Sequence, residues 1–263
     1  MADRTKYLHT ALSAAVSAGN ALRAHSGDFL HLKQLSKESH RDIVTEIDRL
    51  AEDTAIAKIR EFDKNPIVAE ESGESVAIDP QRDSFWVIDP LDGTVNYVHH
   101  IPLYAVSIAF IEKGIPTVGV IYNPALNELY YGGDGLGVFK NHSRIAAAGR
   151  PLEGALCSIT FSGAKYDTDR NSEFDLFQKL NDATAGCLRT GSASVNLSYL
   201  AEGKLDIAIG RHTKLWDVAA GLALARLAGA EVDFTFVDKK KYLLHYRACH
   251  ASHKDALESL DPR

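Results

Sequence analysis

Between Tyr104 and Asn141 the chain reads YAVSIAFIEKGIPTVGVIYNPALNELYYGGDGLGVFKN, β-rich runs cut by EKG, NPALN and GGDG. Runs of this texture, separated by short turn signals, predict an antiparallel meander. The flanking sequence supplies the layers that would cover such a sheet. Upstream, Leu8, Leu12, Ala15 and Leu22 recur at helical spacing. A second apolar face follows in Ile47, Leu50, Ala51, Ala55, Ile59 and Phe62, after a Thr45/Asp48 pair that resembles a capping box. Downstream of Pro151, strand and helix patterns alternate. CSITFSG and LDIAIG read as strands, while EFDLFQKLND, SASVNLSYLAEG and alanine-rich WDVAAGLALARLAGA read as helices. EVDFTFV and KYLLHYRACHAS are β-like, and HKDALESL closes the chain as a helix. This order predicts a layered α/β fold with two β-sheets. No repeat or Pro/Ser-rich linker interrupts it, so 1–263 reads as one unit, with helices and antiparallel sheet in 1–145 and an α/β half in 146–263.

Two apolar runs in the first half end in acids. PIVA leads into Glu70 and Glu71, and FWVI leads into Asp89, followed by Pro90, Leu91, Asp92, Gly93 and Thr94. Each run would deliver its acid to a sheet edge, and Glu70 and Asp89 are only 19 residues apart. Far downstream, Asp217 opens the alanine-rich helix, where its carboxylate could face the same edge. Two readings stand side by side. Asp-Pro and Asp-Gly stabilise ordinary turns, and an Asp before an amphipathic helix is a good N-cap. Alternatively, oxygen donors without a Cys/His cluster suit Mg²⁺, which prefers carboxylate, carbonyl and water oxygens. Pro90 would then expose the Leu91 carbonyl as a further ligand, and Gly93-Thr94 would offer N–H groups to a phosphate.

Charge and cysteine usage narrow the field. A net charge of −6 and a pI near 6.0 leave no general electrostatic footprint for nucleic acid or an acidic membrane. An anionic substrate remains possible where metal ions reverse the local field. Cys157, Cys187 and Cys249 are odd in number and widely spaced, which argues against a disulfide framework or zinc knuckle and for a reducing, cytoplasmic setting. The alanine-rich N-terminus is interrupted by Asp3, His9, Ser13 and Ser17, so it reads as a helix rather than a signal peptide. No apolar run approaches the roughly 20 residues of a membrane span. GGDGLG reads as a hairpin turn, His99-His100 as surface residues, Lys239–Lys241 as a solvated turn and the cysteines as packing residues.

EES, DPLDGTVNYVHHIPLYAVSIAF and WDVAAGLALARLAGA together resemble the inositol monophosphatase family of Mg²⁺-dependent, lithium-sensitive phosphatases. The resemblance spans essentially the whole chain. It implies a five-layer αβαβα sandwich and a homodimer, with two or three Mg²⁺ per active site. By position it makes Glu70, Asp89 and the Leu91 carbonyl ligands of a first metal. Asp89, Asp92 and Asp217 would hold a second, and Glu70 would help with a third. Glu70 and Thr94 would activate the attacking water, with Asp48 hydrogen-bonded to the Thr94 system and Lys37 a base near the metals. Gly93 and Thr94 would donate to phosphate, and Ala193 would line the substrate hydroxyl pocket.

One position departs from the pattern. The family places a glutamate that binds an inositol hydroxyl seven residues before the WD aspartate, and Gly210 stands there in AIGRHTKLWD. Arg211, His212 and Lys214 follow, either as a solvated basic loop or as a site for a second anionic group. The substrate classes that follow are a small polyol or sugar phosphate, with a sugar bisphosphate, histidinol phosphate or 3′-phosphoadenosine 5′-phosphate as alternatives. A non-catalytic regulatory protein on the same fold is the competing class.

Overall fold

The computed structural model describes residues 4–26, 35–36, 43–44, 46–162 and 170–261. Two helices, α1 (Arg4–Ala24) and α2 (Glu46–Phe62), form one outer layer, and the short strands β1 (Leu35–Ser36) and β2 (Ile43–Val44) pair antiparallel between them in sequence. The first large sheet comprises β3 (Ile67–Ala69), β4 (Gly73–Glu74), β5 (Ser84–Asp92) and, after the short helix α3 (Thr94–Val98), β6 (Ala105–Glu112) and β7 (Ile115–Asn123). It continues through β8 (Glu128–Gly133), β9 (Gly137–Lys140) and β10 (Ser143–Arg144). Among the described residues its order is β10-β9-β8-β7-β6-β5-β3-β4, so the Tyr104–Asn141 stretch is the antiparallel meander its pattern predicts. β3 runs parallel to β5, which matters for the site.

The second half contributes β11 (Leu156–Thr160), α4 (Arg170–Ala183), β12 (Gly186–Leu188), α5 (Ala193–Ala201) and β13 (Ile207–Lys214). It ends with α6 (Leu215–Leu227), β14 (Glu231–Asp238), β15 (Leu243–Cys249) and α7 (Lys254–Leu260). The strands form a second sheet in the order β12-β11-β13-β15-β14.

The buried residues sort into layers. Ala11, Ala15, Ala18, Ala51, Ala55 and Ile59 of α1 and α2 pack on Trp86, Ile88, Ile108 and Val120 on one face of the first sheet. The other face, with Phe85, Val87, Ala109 and Ile121, meets α5 and α6, which in turn cover Ala208, Leu244 and Ala248 of the second sheet. Cys157, Ile159, Ile207 and Cys249 on its far face pack against Leu176 and Leu180 of α4 and Leu257 of α7. The result is the αβαβα sandwich. α6 is apolar nearly all round because it lies between two sheets, and its alanines let both approach closely.

Two details differ from the sequence reading, and a third is untested. Leu50 and Phe62 are 44% and 52% exposed, because the Ile47–Ala51–Ala55–Ile59 row alone carries α2 onto the sheet. GRHTK is not a loop, since β13 runs through it with a bulge between Gly210 and Thr213. Thr45, the proposed cap of α2, lies outside the described residues. The cysteines are free and buried, and burial pushes the thiols of Cys157 and Cys249 up to about 11 and that of Cys187 to about 12. These are packing residues.

Candidate active site

The parallel pairing of β3 and β5 joins the two acid-terminated runs. Ala69 pairs with Ile88, and the next residue, Glu70, donates its backbone N–H to the Ile88 carbonyl at 3.2 Å. Glu70 therefore stands beside Asp89 at the carboxyl end of the two strands. β5 then bulges against β6, where Asp89 faces Ser107 and Asp92 faces Ala105, with Pro90 and Leu91 between them. A proline lacks the N–H for a ladder bond, so a bulge is where a strand tolerates one. Asp89 Oδ1 accepts the Leu91 N–H at 2.9 Å, and Thr94 Oγ1 donates to the Leu91 carbonyl at 3.0 Å. Gly93 turns the chain into α3 with φ +91°, and a Cβ there would lie 2.8 Å from the Leu103 carbonyl oxygen. Only glycine meets both demands without strain.

Asp92 is buried and clasped by the start of α5. Ser192 Oγ donates to its Oδ2 at 2.6 Å, the Ser194 N–H at 2.7 Å, and Ser194 Oγ donates to the same oxygen. Asp217 lies in the first turn of α6, where Oδ2 accepts the Lys214 N–H at 3.4 Å. The capping and cluster roles of Asp217 thus coexist. A helix start is a favourable place for each carboxylate, because the N-terminal amides are unsatisfied and carry partial positive charge.

Electrostatics mark the cluster as unbalanced. Burial, with the charges of Asp217 and Glu71, drives the Glu70 carboxyl well above its ordinary range, although a hydrogen bond shared with Asp89 opposes this. Burial and the charges of Glu70, Asp92 and Asp217 do the same to Asp89. Burial raises Asp92 against the bonds from Ser192 and Ser194. Burial and the Asp92 charge push Asp217 up to about 8. Like charges in a poorly solvated site hold protons, or else need a cation. Lys214 acts on Asp217 and Glu70, but its ammonium donates to the Lys241 carbonyl at 2.8 Å and sits over the Trp216 ring. Among the described residues no three acid, histidine or cysteine side chains already close on one point as a finished ligand cage. An all-oxygen donor set with an uncompensated negative field nevertheless fits a hard divalent cation.

The remaining predicted residues are placed as follows. Asp48 is buried in the first turn of α2, and its charge acts on Glu70. Ala193 opens α5 and lines a cleft of about 150 Å³ together with Asp92, Thr160, Arg189, Ser192 and Asp217. Arg211 does not share that cleft. It pairs with Asp261 and donates to Ser172 Oγ at 3.0 Å, beside a separate cavity of about 340 Å³. Lys37 lies outside the described residues.

Sequence reasoning missed two kinds of support. Glu52, buried on the inner row of α2, accepts the Glu71 and Ser72 N–H groups at 2.8 Å each and so fixes the chain just after Glu70. An acid at i+4 from Asp48 and between two core alanines was the available signal. Ser192 and Ser194 carried no signal beyond the N-cap preference of serine.

Comparison with known proteins gives the family and agrees with the fold. The sequence model described as the Inositol monophosphatase family matches residues 3–261. "Nus factor SuhB" of Pseudomonas aeruginosa is 38% identical over 232 residues, covering 87% of this chain and 85% of that protein. "Fructose-1,6-bisphosphatase/inositol-1-monophosphatase" of Thermotoga maritima is 36% identical over 220 residues, covering 82% and 80%. The solved structure of an inositol monophosphatase from Anabaena superposes with a TM-score of 0.84 at 32% identity, covering 98% of this chain and 96% of that one.

Proposed function

The chain belongs to the inositol monophosphatase family, and from that premise we propose that it is a Mg²⁺-dependent phosphatase hydrolysing a phosphate monoester of a small polyol or sugar. The observation that carries this reading is the meeting of Glu70, Asp89, Asp92 and Asp217, from three separate segments, in one field where each holds its proton abnormally tightly. A fold has no structural need for four such groups at one point, and they weaken it unless a cation is bound.

In this reading Glu70, Asp89, the Leu91 carbonyl, Asp92 and Asp217 would hold two Mg²⁺, with Glu70 helping to hold a weaker third. A metal held there would supply acidification of a water and stabilisation of charge on the phosphate and leaving oxygens. The protein's own groups do the positioning. Thr94 Oγ1 donates a hydrogen bond to the Leu91 carbonyl, which leaves the hydroxyl's lone pairs to accept a hydrogen bond from the attacking water. Glu70, held beside Asp89 at the carboxyl end of β3, is the carboxylate placed to take that water's proton. Gly93 and Thr94 N–H groups would donate to phosphate oxygens, and Ala193, which lines the cleft, would border the ester's hydroxyl pocket. The site is assigned to a homodimeric cytoplasmic enzyme. Exposed Val95, Ile101 and Leu188 support the dimer, since Asn96 Nδ2 bonds the Thr190 carbonyl and gathers them near the cleft for a second copy to cover.

A relative's designation as a Nus factor motivates a second, regulatory reading. The full carboxylate set favours catalysis, because a retired site has no chemical use for it. The test is phosphate release, with Mg²⁺ or EDTA, from inositol 1-phosphate, fructose 1,6-bisphosphate, histidinol phosphate and 3′-phosphoadenosine 5′-phosphate. Mg²⁺-dependent release that Asp89→Asn lowers by at least about a thousandfold is expected, given the scale of electrostatic stabilisation at such sites. No release from any of the four by folded, metal-binding protein would move the assignment to the regulatory reading.

A further inference from the structure

Two of the three cysteines, far apart in the chain, meet on neighbouring strands. Cys157 of β11 and Cys187 of β12 are paired positions in a parallel ladder. Both side chains lie on the face beneath α4, among Leu176 and Leu180. Paired strands run about 4.8 Å apart, inside the range of about 4.4–6.8 Å between Cα atoms that a disulfide spans. The two thiols also feel each other, since the charge of Cys157 adds to burial in raising Cys187. Cys249 shares the row but stands beyond Ile207 of β13. It is two strand spacings from Cys157, about 9.6 Å, too far for a bond. Leu188, the next residue of β12, projects to the opposite face, so the pair lies away from the surface assigned to a second copy. Access comes from the sheet edge. Among the described residues β12 has three residues and one neighbouring strand, and Cys187 is 9% exposed while Cys157 is fully enclosed. β12 also leads into Ser192 and Ser194, which hold Asp92.

We infer that Cys157 and Cys187 form a modification site, a dithiol that a hydroperoxide closes to a disulfide, and that closure loosens the hold of α5 on Asp92. The Cys187 thiolate attacks a peroxide oxygen, the O–O bond breaks, and one water leaves a sulfenic acid behind. The Cys157 sulfur then attacks the sulfenic sulfur, the S–O bond breaks, and a second water departs. The two thiols give up two electrons and two protons, and the peroxide becomes two waters. Closure brings the Cβ atoms to about 3.8 Å, nearer than the strand spacing. β11 is fixed between β12 and β13, so β12 makes the movement and carries the turn before Ser192 with it. Burial pushes Cys157 up to about 11 and Cys187 to about 12, so few thiolates exist at neutral pH and closure speeds up as pH rises. The reduced pair is ordinary core packing, and the site stands independently of the phosphatase reading.

The test treats the folded protein with hydrogen peroxide at mildly alkaline pH, alkylates the remaining thiols, and maps the peptides by mass spectrometry before and after dithiothreitol. Peptides joined through Cys157 and Cys187 within one chain, with Cys249 alkylated and the link released by dithiothreitol, are expected. Cys249→Ala should keep the link and Cys187→Ala should lose it. Cys157 and Cys187 both alkylated, or carried on to sulfinic acids without a link, overturns the inference. A link to Cys249, or one formed only in urea, overturns it equally. Amide hydrogen exchange tests the second half without calling on catalysis, because the Ser194 N–H donates to Asp92. That amide should exchange about tenfold faster in the linked protein, the scale of one hydrogen bond to a charged group. Peroxide-treated Cys187→Ala should match the reduced wild type. Equal exchange at Ser194 in the linked and reduced proteins overturns the coupling to Asp92.

Discussion

At the scale of single residues, Gly210 and Tyr246 behave as one unit. The tyrosine ring occupies the volume that any side chain at 210 would need, and it is too enclosed to swing away. Gly210→Ala should therefore destabilise the protein by overpacking, on the order of 1–3 kcal/mol, and lower Tm by several degrees. Tyr246→Ala alone should cost about 3–5 kcal/mol through the cavity it leaves. The double variant should be more stable than the sum of the two losses, because the new methyl enters the vacated space. Thermal and urea unfolding of the four proteins closes the cycle, and strict additivity would show that the two positions do not compete for one volume. The sequence shows only that 210 is glycine. What fills the gap comes from a residue 36 positions later, through a strand register that no local pattern encodes.

At the scale of elements, α5 is the part whose role was least visible. The helix itself is legible in SASVNLSYLAEG, as are α1, α2, α6 and the meander, because each has a period that matches its burial. The acid-ended runs were legible too, since an apolar strand followed by Asp89 or Glu70 has only the sheet edge on which to place the charge. The grip of α5 on Asp92 is a contact across 102 residues, and the sequence offered only a serine with N-cap preference. That grip has a consequence for acidity. The bonds from Ser192 and Ser194 lower the proton affinity of Asp92 against its burial. Ser194→Ala removes a hydroxyl donor but leaves the backbone N–H bond, so Asp92 should hold its proton to higher pH. The acid limb of the kcat/KM profile should move up by about one pH unit, since a bond to a charged group is worth roughly 1.5–3 kcal/mol and one unit is 1.36 kcal/mol. An unmoved acid limb would show that Asp92 does not govern that ionisation.

At the scale of the whole molecule, the sandwich brings the carboxyl ends of β3 and β5 and the start of α6 to one place and thereby concentrates negative charge where water is scarce. The metal-free protein bears the cost as a pH-dependent stability. Each of the four carboxyls binds its proton more tightly when folded than when unfolded. Between the ordinary carboxylate value of about 4 and the raised one, the folded state carries more protons than the unfolded chain, so stability falls as pH rises. With Asp217 near 8, that window extends from about pH 4 to about pH 8. A cation competes for the same oxygens, so Mg²⁺ should stabilise the protein more at pH 8 than at pH 5, by about 2.7 kcal/mol where its concentration is a hundredfold above Kd. Calorimetric melting in EDTA and in Mg²⁺ at both pH values checks the sign. A Tm in EDTA that is lower at pH 8, with a larger Mg²⁺ gain there, is the expected pattern. If Mg²⁺ shifts Tm equally at both values, its binding does not displace these protons, and the four carboxylates would have to be explained without a metal.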